Sequence, residues 1–199
     1  MPGPGPVLRH LPNLISVARI LLVPFTVMAF VRGDFETGFW LFVIAGVSDA
    51  VDGAIARLFR AQSTLGTYLD PAADKLLLVT MYVALSVQGG LSWAVTVLVL
   101  ARDLMILGGL AWCLWRKFPA DIRPIFVSKV NTFLQVFVIA WILSLESGMV
   151  ARVTGLAPAT TDAITLIVEI VMIVTTAVSG LIYAGRWHRL IQGAKGERA

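Results

Sequence analysis

The sequence DAVDGAIARLFRAQSTLGTYLDPAADK, residues 49–75, places four aspartates inside an otherwise apolar chain. Asp49 and Asp52 are three residues apart, and Asp70 and Asp74 are four apart. Side chains at these spacings share one face of an α-helix, so each pair is predicted to project from one side of its own helix. A short connection that contains Gly66 separates the two pairs. We therefore expect a helical hairpin with an oxygen-rich site at one end.

The composition of the whole chain predicts a membrane protein. Its 199 residues are 58% hydrophobic and only 14% charged, and the mean hydropathy is +0.85. Soluble domains carry about 25% charged residues, so this chain lacks the polar surface that water requires. We expect one integral membrane domain over residues 1–199, with an interfacial segment at 1–13 and a basic cytoplasmic tail at 186–199. A single cysteine, Cys113, excludes an intramolecular disulfide and a cysteine-based metal site.

Six apolar runs define the predicted architecture, each near the roughly 20 residues that a bilayer-spanning helix needs. They lie at about 14–31, 39–60, 68–88, 92–115, 127–146 and 163–185. The predicted fold class is therefore all-α, with six transmembrane helices and both termini on one side of the membrane. An ordered loop is expected at 116–126, and a short stretch rich in Gly, Pro and Thr, Ser147 to Thr161, separates the last two runs.

The distribution of basic residues predicts which side holds the termini. Eleven basic residues fall on the side of the termini and two on the opposite side. The eleven are Arg9, Arg57, Arg60, Arg116, Lys117, Arg123, Lys129, Arg186, Arg189, Lys195 and Arg198, and the two are Arg32 and Arg152. The positive-inside rule makes the richer side cytoplasmic, and the aspartates open onto it. The net charge of +4 thus suits topology and anionic lipid headgroups, and no nucleic-acid partner is expected.

The four aspartates favour metal chemistry. Ionisable groups inside membrane spans are costly and usually functional, and carboxylates with water suit hard cations such as Mg²⁺ or Mn²⁺. Two such ions can clamp a phosphoryl transfer. One alternative is a set of structural ion pairs with Arg57, Lys75, Arg19 and Arg102. Another is an ion- or proton-coupled transporter, although transporter sites tend to lie near the bilayer midplane on broken helices.

The motif as a whole resembles a known family. Its spacing, Asp49-x2-Asp52-Gly53-x2-Ala56-Arg57-x8-Gly66-x3-Asp70-x3-Asp74, is similar to the signature of the CDP-alcohol phosphatidyltransferases. The resemblance implies that an acceptor hydroxyl attacks the β-phosphate of a CDP-linked lipid and releases CMP. It implies that all four aspartates bind two divalent cations, Mg²⁺ or Mn²⁺, and that Asp74 is the general base.

The same resemblance implies roles for the other motif residues and an assembly state. Asp49, Asp52 and Asp70 hold the CDP pyrophosphate with their metals. Gly53, Ala56 and Arg57 line the nucleotide pocket, and Gly66 belongs to the same CDP-binding segment. A homodimer in the bacterial inner membrane is expected, with the active site facing the cytoplasm.

Two further segments bear on the acceptor. Arg102-Asp103 in the fourth run and Ser128-Lys129-x-Asn131-Thr132-x2-Gln135 in the fifth resemble the CMP-forming cardiolipin synthases of this family. Phosphatidylglycerophosphate synthases more often have a lysine where this chain has Asn131. One positive charge fewer suits phosphatidylglycerol, with its single phosphodiester, better than glycerol 3-phosphate.

The acceptor-binding candidates are therefore Arg102, Arg123, Lys129 and Asn131, with CDP-diacylglycerol and phosphatidylglycerol as substrates among the membrane lipids. In the alternative interpretation, Arg102 pairs with Asp103, while Arg123 and Lys129 mark the cytoplasmic boundary. Glycerol 3-phosphate or another alcohol as acceptor stays open, as does the transporter.

Overall fold

The computed structural model describes residues 6–59, 66–116 and 125–196. Within its helices, the side chains of 6–14, 16, 49–59, 66–74, 114, 191 and 193–196 lie outside the description. The described ranges form seven α-helices and contain no strand. The helices are α1 (Pro6–Val31), α2 (Phe35–Phe59), α3 (Gly66–Val87), α4 (Trp93–Arg116), α5 (Phe126–Glu146), α6 (Met149–Thr154) and α7 (Pro158–Gly196).

The chain divides into two compact units. The first comprises Met1–Gly90 and Ile139–Ala157, and the second comprises Leu91–Val138 and Pro158–Ala199. In the first unit α1 packs against both α2 and α3, and in the second α4 packs against α7. The core of the first unit is mostly apolar, with Phe30, Met81, Tyr82 and Leu85 almost fully buried.

A tight turn joins α1 to α2. Gly33 has a φ of +77°, which a residue without a Cβ adopts at little cost. Asp34 caps α2, because the Thr37 backbone N–H donates a hydrogen bond to Asp34 Oδ1 over 3.1 Å. Hydrogen bonds from the Thr37 side chain and backbone lower the pKa of Asp34. The ring of Phe35, the first residue of α2, meets that of Phe30 edge-on at a centroid distance of 5.2 Å.

Three helix ends and α6 lie together in the first unit. Gln88 Nε2, just after α3, donates a hydrogen bond to the Phe30 carbonyl over 3.1 Å. Arg152 in α6 forms a 2.8 Å ion pair with Glu36 in the first turn of α2. The end of α1, the start of α2 and the end of α3 therefore share one end of the unit. The last turns of α2 and the first turns of α3 lie toward the other end.

Three of the described helices are long and apolar enough to cross a membrane. They contain the segments Trp93–Cys113, Phe126–Glu146 and Pro158–Leu190. Among the described side chains, the apolar parts of α1, α2 and α3 are shorter, at Val17–Val31, Phe35–Ser48 and Lys75–Val87. In the second unit, Leu104, Phe133 and Leu181 are two thirds or more exposed, whereas Arg102 and Asn131 are buried. Apolar side chains outside and polar ones inside suit a lipid environment, because lipid cannot satisfy polar groups.

The six predicted runs correspond to α1–α5 and α7, with differences at their ends. α1 begins at Pro6 and α7 continues to Gly196, because a helix can run on into polar sequence beyond its apolar part. The connection predicted between the last two runs contains the short helix α6. Gly148 and Gly155 flank it with φ of 68° and 63°, values that favour glycine at helix ends. Residues 117–124 of the predicted ordered loop lie outside the described residues.

Candidate functional site

The four aspartates of the motif lie on two continuous helices. Asp49 and Asp52 belong to α2, and Asp70 and Asp74 belong to α3. The helical backbone therefore puts the Cα atoms of each pair on one face of its helix, as the spacing predicts. Their side chains are outside the described residues, so the predicted contacts among them stay a prediction.

The two pairs lie at matching levels along their helices. Asp49 is fourteen residues after Phe35, and Asp74 is fourteen residues before Gln88. Phe35 and Gln88 mark the shared end of the first unit, so each of these two aspartates lies about 21 Å from it. Asp52 and Asp70 lie roughly one turn further along. The Cα atoms of the four aspartates thus lie toward the end of the unit opposite to Arg152 and Glu36.

The other predicted CDP-binding residues lie near the same ends of α2 and α3. Gly53, Ala56 and Arg57 lie in the last turns of α2, and Gly66 is the first residue of α3. Arg19 in α1 is a partner of the aspartates in the alternative interpretation of structural ion pairs. Its side chain is only 1% exposed and has at least one polar, ring or electrostatic contact. It lies eleven residues before Phe30, about 17 Å along α1 and near the level of Asp49.

The predicted acceptor residues lead to a buried polar cluster in the second unit. We name this the hydroxyl cluster, and it consists of Arg102, Asp103, Ser128, Asn131, Thr175, Thr176 and Ser179. Arg102 and Asp103 are each 5% exposed, and Arg102 Nη1 lies 2.7 Å from Asp103 Oδ1. The pairing of Arg102 with Asp103 is therefore present, and it neutralises the buried guanidinium.

Two hydroxyl groups complete the surroundings of Arg102. Its Nε and Nη2 donate hydrogen bonds to Ser179 Oγ over 3.2 and 2.9 Å, and Nη2 also donates to Ser128 Oγ. Helices α4, α5 and α7 thus each supply one residue to a single charged group. An arginine in a membrane-spanning helix requires such partners, because no water is present to solvate it.

Asn131 occupies the neighbouring part of the hydroxyl cluster. It is fully buried, and its Oδ1 accepts hydrogen bonds from Thr175 and Thr176 over 3.0 and 2.7 Å. Its Nδ2 has no hydrogen-bond partner in the described part of the chain. Nδ2 is therefore a buried donor still able to bind an acceptor atom.

The remaining acceptor candidates differ in position. Lys129 is exposed in the first turn of α5, next to Ser128, which Arg102 contacts. Arg123 lies outside the described residues. The described acceptor candidates are thus one arginine paired with an aspartate, one exposed lysine and one buried amide.

Sequence reasoning missed the contribution of α7. Thr175, Thr176 and Ser179 supply three of the seven residues of the hydroxyl cluster, although the sixth apolar run carried no site prediction. Their spacing of three and four residues on an apolar helix was the available signal. Hydroxyl residues are common between membrane helices, so the spacing alone did not distinguish them from ordinary packing.

The donor set of the motif fits a divalent cation. Among the described side chains, no group of three or more His, Cys, Asp or Glu could hold a metal, and the four aspartates are outside that set. Four carboxylates on two helical faces at matching levels offer the oxygen ligands that Mg²⁺ and Mn²⁺ prefer.

Comparison with known proteins provides independent evidence for the family. Residues 9–181 match the family described as CDP-alcohol phosphatidyltransferase. The human cardiolipin synthase (CMP-forming) is 33% identical over 146 residues, which cover 65% of this chain and 48% of that protein. A putative cardiolipin synthase of Mycobacterium tuberculosis is 36% identical over 123 residues, covering 61% of this chain and 58% of that protein.

A relative that is named for a different activity is also similar. The chloroplastic CDP-diacylglycerol--glycerol-3-phosphate 3-phosphatidyltransferase 1 of rice is 32% identical over 148 residues, covering 66% of this chain and 45% of that protein. The chain therefore spans about half the length of the curated relatives it matches.

Proposed function

The chain belongs to the CDP-alcohol phosphatidyltransferase family and is a transferase, and from this premise we propose that it synthesises cardiolipin. It transfers the phosphatidyl group of CDP-diacylglycerol to phosphatidylglycerol and releases CMP. The similarity to proteins named cardiolipin synthase (CMP-forming) supports this choice. As the family is one of transferases, the transporter alternative is set aside.

The choice of acceptor rests on the charge of the hydroxyl cluster. Arg102 is neutralised by Asp103 at 2.7 Å, and the uncharged Asn131 stands where a second lysine would raise the positive charge. Among the described acceptor candidates, the exposed Lys129 is then the one cation that is not paired within the cluster. One positive charge fewer suits the single phosphodiester of phosphatidylglycerol better than the doubly charged phosphate of glycerol 3-phosphate. The proposed acceptor-binding residues are Arg102, Asn131, Lys129 and Arg123.

The aspartate motif is proposed to bind the donor lipid. Asp49, Asp52, Asp70 and Asp74 hold two divalent cations, Mg²⁺ or Mn²⁺, and Gly53, Ala56, Arg57 and Gly66 contact the CDP group. When bound, the cations supply electrostatic stabilisation of negative charge on the pyrophosphate. Matching levels of the two aspartate pairs along α2 and α3 support this assignment.

The proposed reaction is one displacement at phosphorus. The hydroxyl oxygen of the acceptor glycerol forms a bond to the β-phosphorus, and the bond from that phosphorus to the oxygen of CMP breaks. Asp74 accepts the proton of the hydroxyl, because a carboxylate near a developing alkoxide can act as a general base. Arg57 neutralises phosphate charge on the donor.

The proposed setting is the bacterial inner membrane. In it, α1–α5 and α7 form six spans, both termini are cytoplasmic and the aspartates face the cytoplasm. The basic residues at the ends of the apolar runs support this orientation. A homodimer is proposed by resemblance to the family, and light scattering of the detergent-solubilised chain tests it: a monomeric mass would contradict it.

The second candidate is phosphatidylglycerophosphate synthesis from glycerol 3-phosphate. The rice relative, whose name includes that acceptor, favours this function, and its identity to the chain is nearly the same as that of the human relative. The two functions share the donor lipid, so only the acceptor separates them.

An assay of CMP release tests the proposal. The purified chain receives CDP-diacylglycerol with phosphatidylglycerol, with glycerol 3-phosphate, or with neither. We expect release with phosphatidylglycerol only, loss of release after chelation with EDTA, and recovery when Mg²⁺ or Mn²⁺ is added. Release with glycerol 3-phosphate alone would favour the second candidate, and full activity in EDTA would contradict the metal assignment.

A further inference from the structure

Ser179 in α7 contacts the guanidinium of Arg102 twice. Arg102 Nε and Nη2 donate hydrogen bonds to its hydroxyl oxygen over 3.2 and 2.9 Å. Ser179 is fully buried and Arg102 is 5% exposed, so water does not compete for these bonds. They join residues 77 positions apart in the chain.

The contacts around Arg102 fix the plane of its guanidinium. The group carries five N–H donors in a rigid planar fork. Nη1 donates a hydrogen bond to Asp103, Nη2 donates to Ser128 and Ser179, and Nε donates to Ser179. Without the Ser179 hydroxyl, Nε and Nη2 would lose their hydrogen bonds to α7. The guanidinium could then rotate about the terminal bonds of the Arg102 side chain.

A rotation of the Arg102 guanidinium would change its contact with the start of α5. The same Nη2 that binds Ser179 also binds Ser128, which lies in the first turn of α5. Lys129, the next residue, is exposed. The orientation of the Arg102 guanidinium thus affects the position of the first turn of α5, which contains Lys129.

We propose that Ser179 is a positioning residue for recognition of the acceptor phosphodiester. By holding the Arg102 guanidinium against Ser128, it sets the first turn of α5 for contact with the acceptor headgroup. This inference rests on the proposed role of Arg102 and Lys129 in acceptor binding. It adds α7 to the specificity-determining part of the protein.

A purely structural role would give a different signature. Hydroxyl groups between membrane helices often contribute only to the association of the helices. In that case, loss of the Ser179 hydroxyl would lower thermal stability and would not change the two Michaelis constants differently. The kinetic comparison therefore separates positioning from packing.

The experiment compares Ser179→Ala with wild type in mixed micelles, with each lipid varied in turn. We expect the KM for the acceptor to rise about tenfold, as for loss of a hydrogen bond to a charged group. The KM for CDP-diacylglycerol should stay within about twofold. Ser179→Thr keeps the hydroxyl and should return the acceptor KM toward wild type. Thr161→Ala is the matched control on α7, because the Thr161 hydroxyl bonds to the Pro158 carbonyl of its own helix.

Ser128→Ala provides a second test if Ser179→Ala does not fold. It removes the other hydroxyl that contacts Nη2, and it should raise the acceptor KM in the same direction. Unchanged acceptor KM in both variants, or an equal rise in both Michaelis constants, would overturn the inference. The comparison uses whichever acceptor supports CMP release by wild type. Turnover with glycerol 3-phosphate instead of phosphatidylglycerol would therefore refute the proposed acceptor while still testing Ser179.

Discussion

Arg102 and Asp103 are neighbours in the chain and form a buried ion pair in a membrane-spanning helix. Adjacent residues on a helix do not face each other, yet the long arginine side chain brings Nη1 within 2.7 Å of the carboxylate. Breaking one partner of a buried pair typically costs about 3–5 kcal/mol, because the other charge is left uncompensated. This pair therefore gives α4 a neutral polar surface on which α5 and α7 place their hydroxyl groups.

Asp74 is the residue whose predicted role is easiest to isolate. Asp74→Asn removes the proton acceptor while preserving the shape of the side chain, so we expect turnover to be lost. Some binding of CDP-diacylglycerol should remain, because three carboxylates of the motif are retained. CMP release measures the first effect, and retention of labelled CDP-diacylglycerol on the purified variant measures the second. Turnover at the wild-type rate would exclude Asp74 as general base.

Gly109 and Gly108 form a matched pair of positions in α4. A Cβ at Gly109 would overlap the ring of Trp187, whereas a Cβ at Gly108 meets no atom within 4 Å. We expect Gly109→Ala to destabilise the protein by about 1–3 kcal/mol, since the ring must move. Gly108→Ala should be neutral or stabilising by up to about 1 kcal/mol, through helix propensity. Thermal unfolding in detergent distinguishes them, and equal Tm values would refute the predicted packing of Trp187.

At the residue scale, the sequence singles out individual polar groups as candidates more readily than it indicates their partners. The aspartates, Arg102 and Asn131 could be selected because charged or amide groups in apolar runs are costly. Ser179 and Thr176 could not, since a hydroxyl in an apolar helix is cheap and its partner lies in another helix. Ser179 and Arg102 are 77 residues apart, and no local pattern records that contact.

At the scale of elements, the cap of α2 gives a pH-dependent prediction. Hydrogen bonds from Thr37 lower the pKa of Asp34, so the ionised cap stabilises the fold above the ordinary carboxyl pKa. This contribution is lost as the pH falls through the lowered value. Asp34→Ala should lower Tm at pH 7, and the difference from wild type should shrink near pH 3.

Asp34→Asn is the control for the cap. Asparagine also accepts the hydrogen bond from the Thr37 N–H, so Tm at pH 7 should stay close to wild type. Its contribution should not titrate, because the amide stays uncharged. A difference between Asp34→Ala and wild type that is the same at pH 7 and pH 3 would contradict the assigned cap.

The apolar runs of the sequence predicted the six long helices but not all of their limits. Hydrophobicity reports where a chain can enter lipid, whereas a helix ends only where its backbone is interrupted. α7 accordingly continues past Tyr183 through the basic segment to Gly196. The six-residue α6 was missed because its few residues are too short to show periodicity, although the flanking Gly148 and Gly155 were visible as turn signals.

At the scale of the whole molecule, the proposed orientation can be tested by cysteine labelling. The one native cysteine, Cys113, is buried, so background labelling should be low. Arg152 and Arg189 are exposed and are predicted to lie on opposite sides of the membrane. A membrane-impermeant maleimide added to spheroplasts should label Arg152→Cys and should label Arg189→Cys only after permeabilisation. The reverse pattern would contradict cytoplasmic termini.

The identity of the acceptor is the central claim, and product analysis tests it most directly. The purified chain would receive CDP-diacylglycerol and deuterium-labelled phosphatidylglycerol with different acyl chains, together with unlabelled glycerol 3-phosphate and Mg²⁺ or Mn²⁺. Mass spectrometry should detect a deuterated lipid with four acyl chains, two from each substrate, in amounts equal to the CMP released. Formation of phosphatidylglycerophosphate with no labelled four-chain product would contradict the claim.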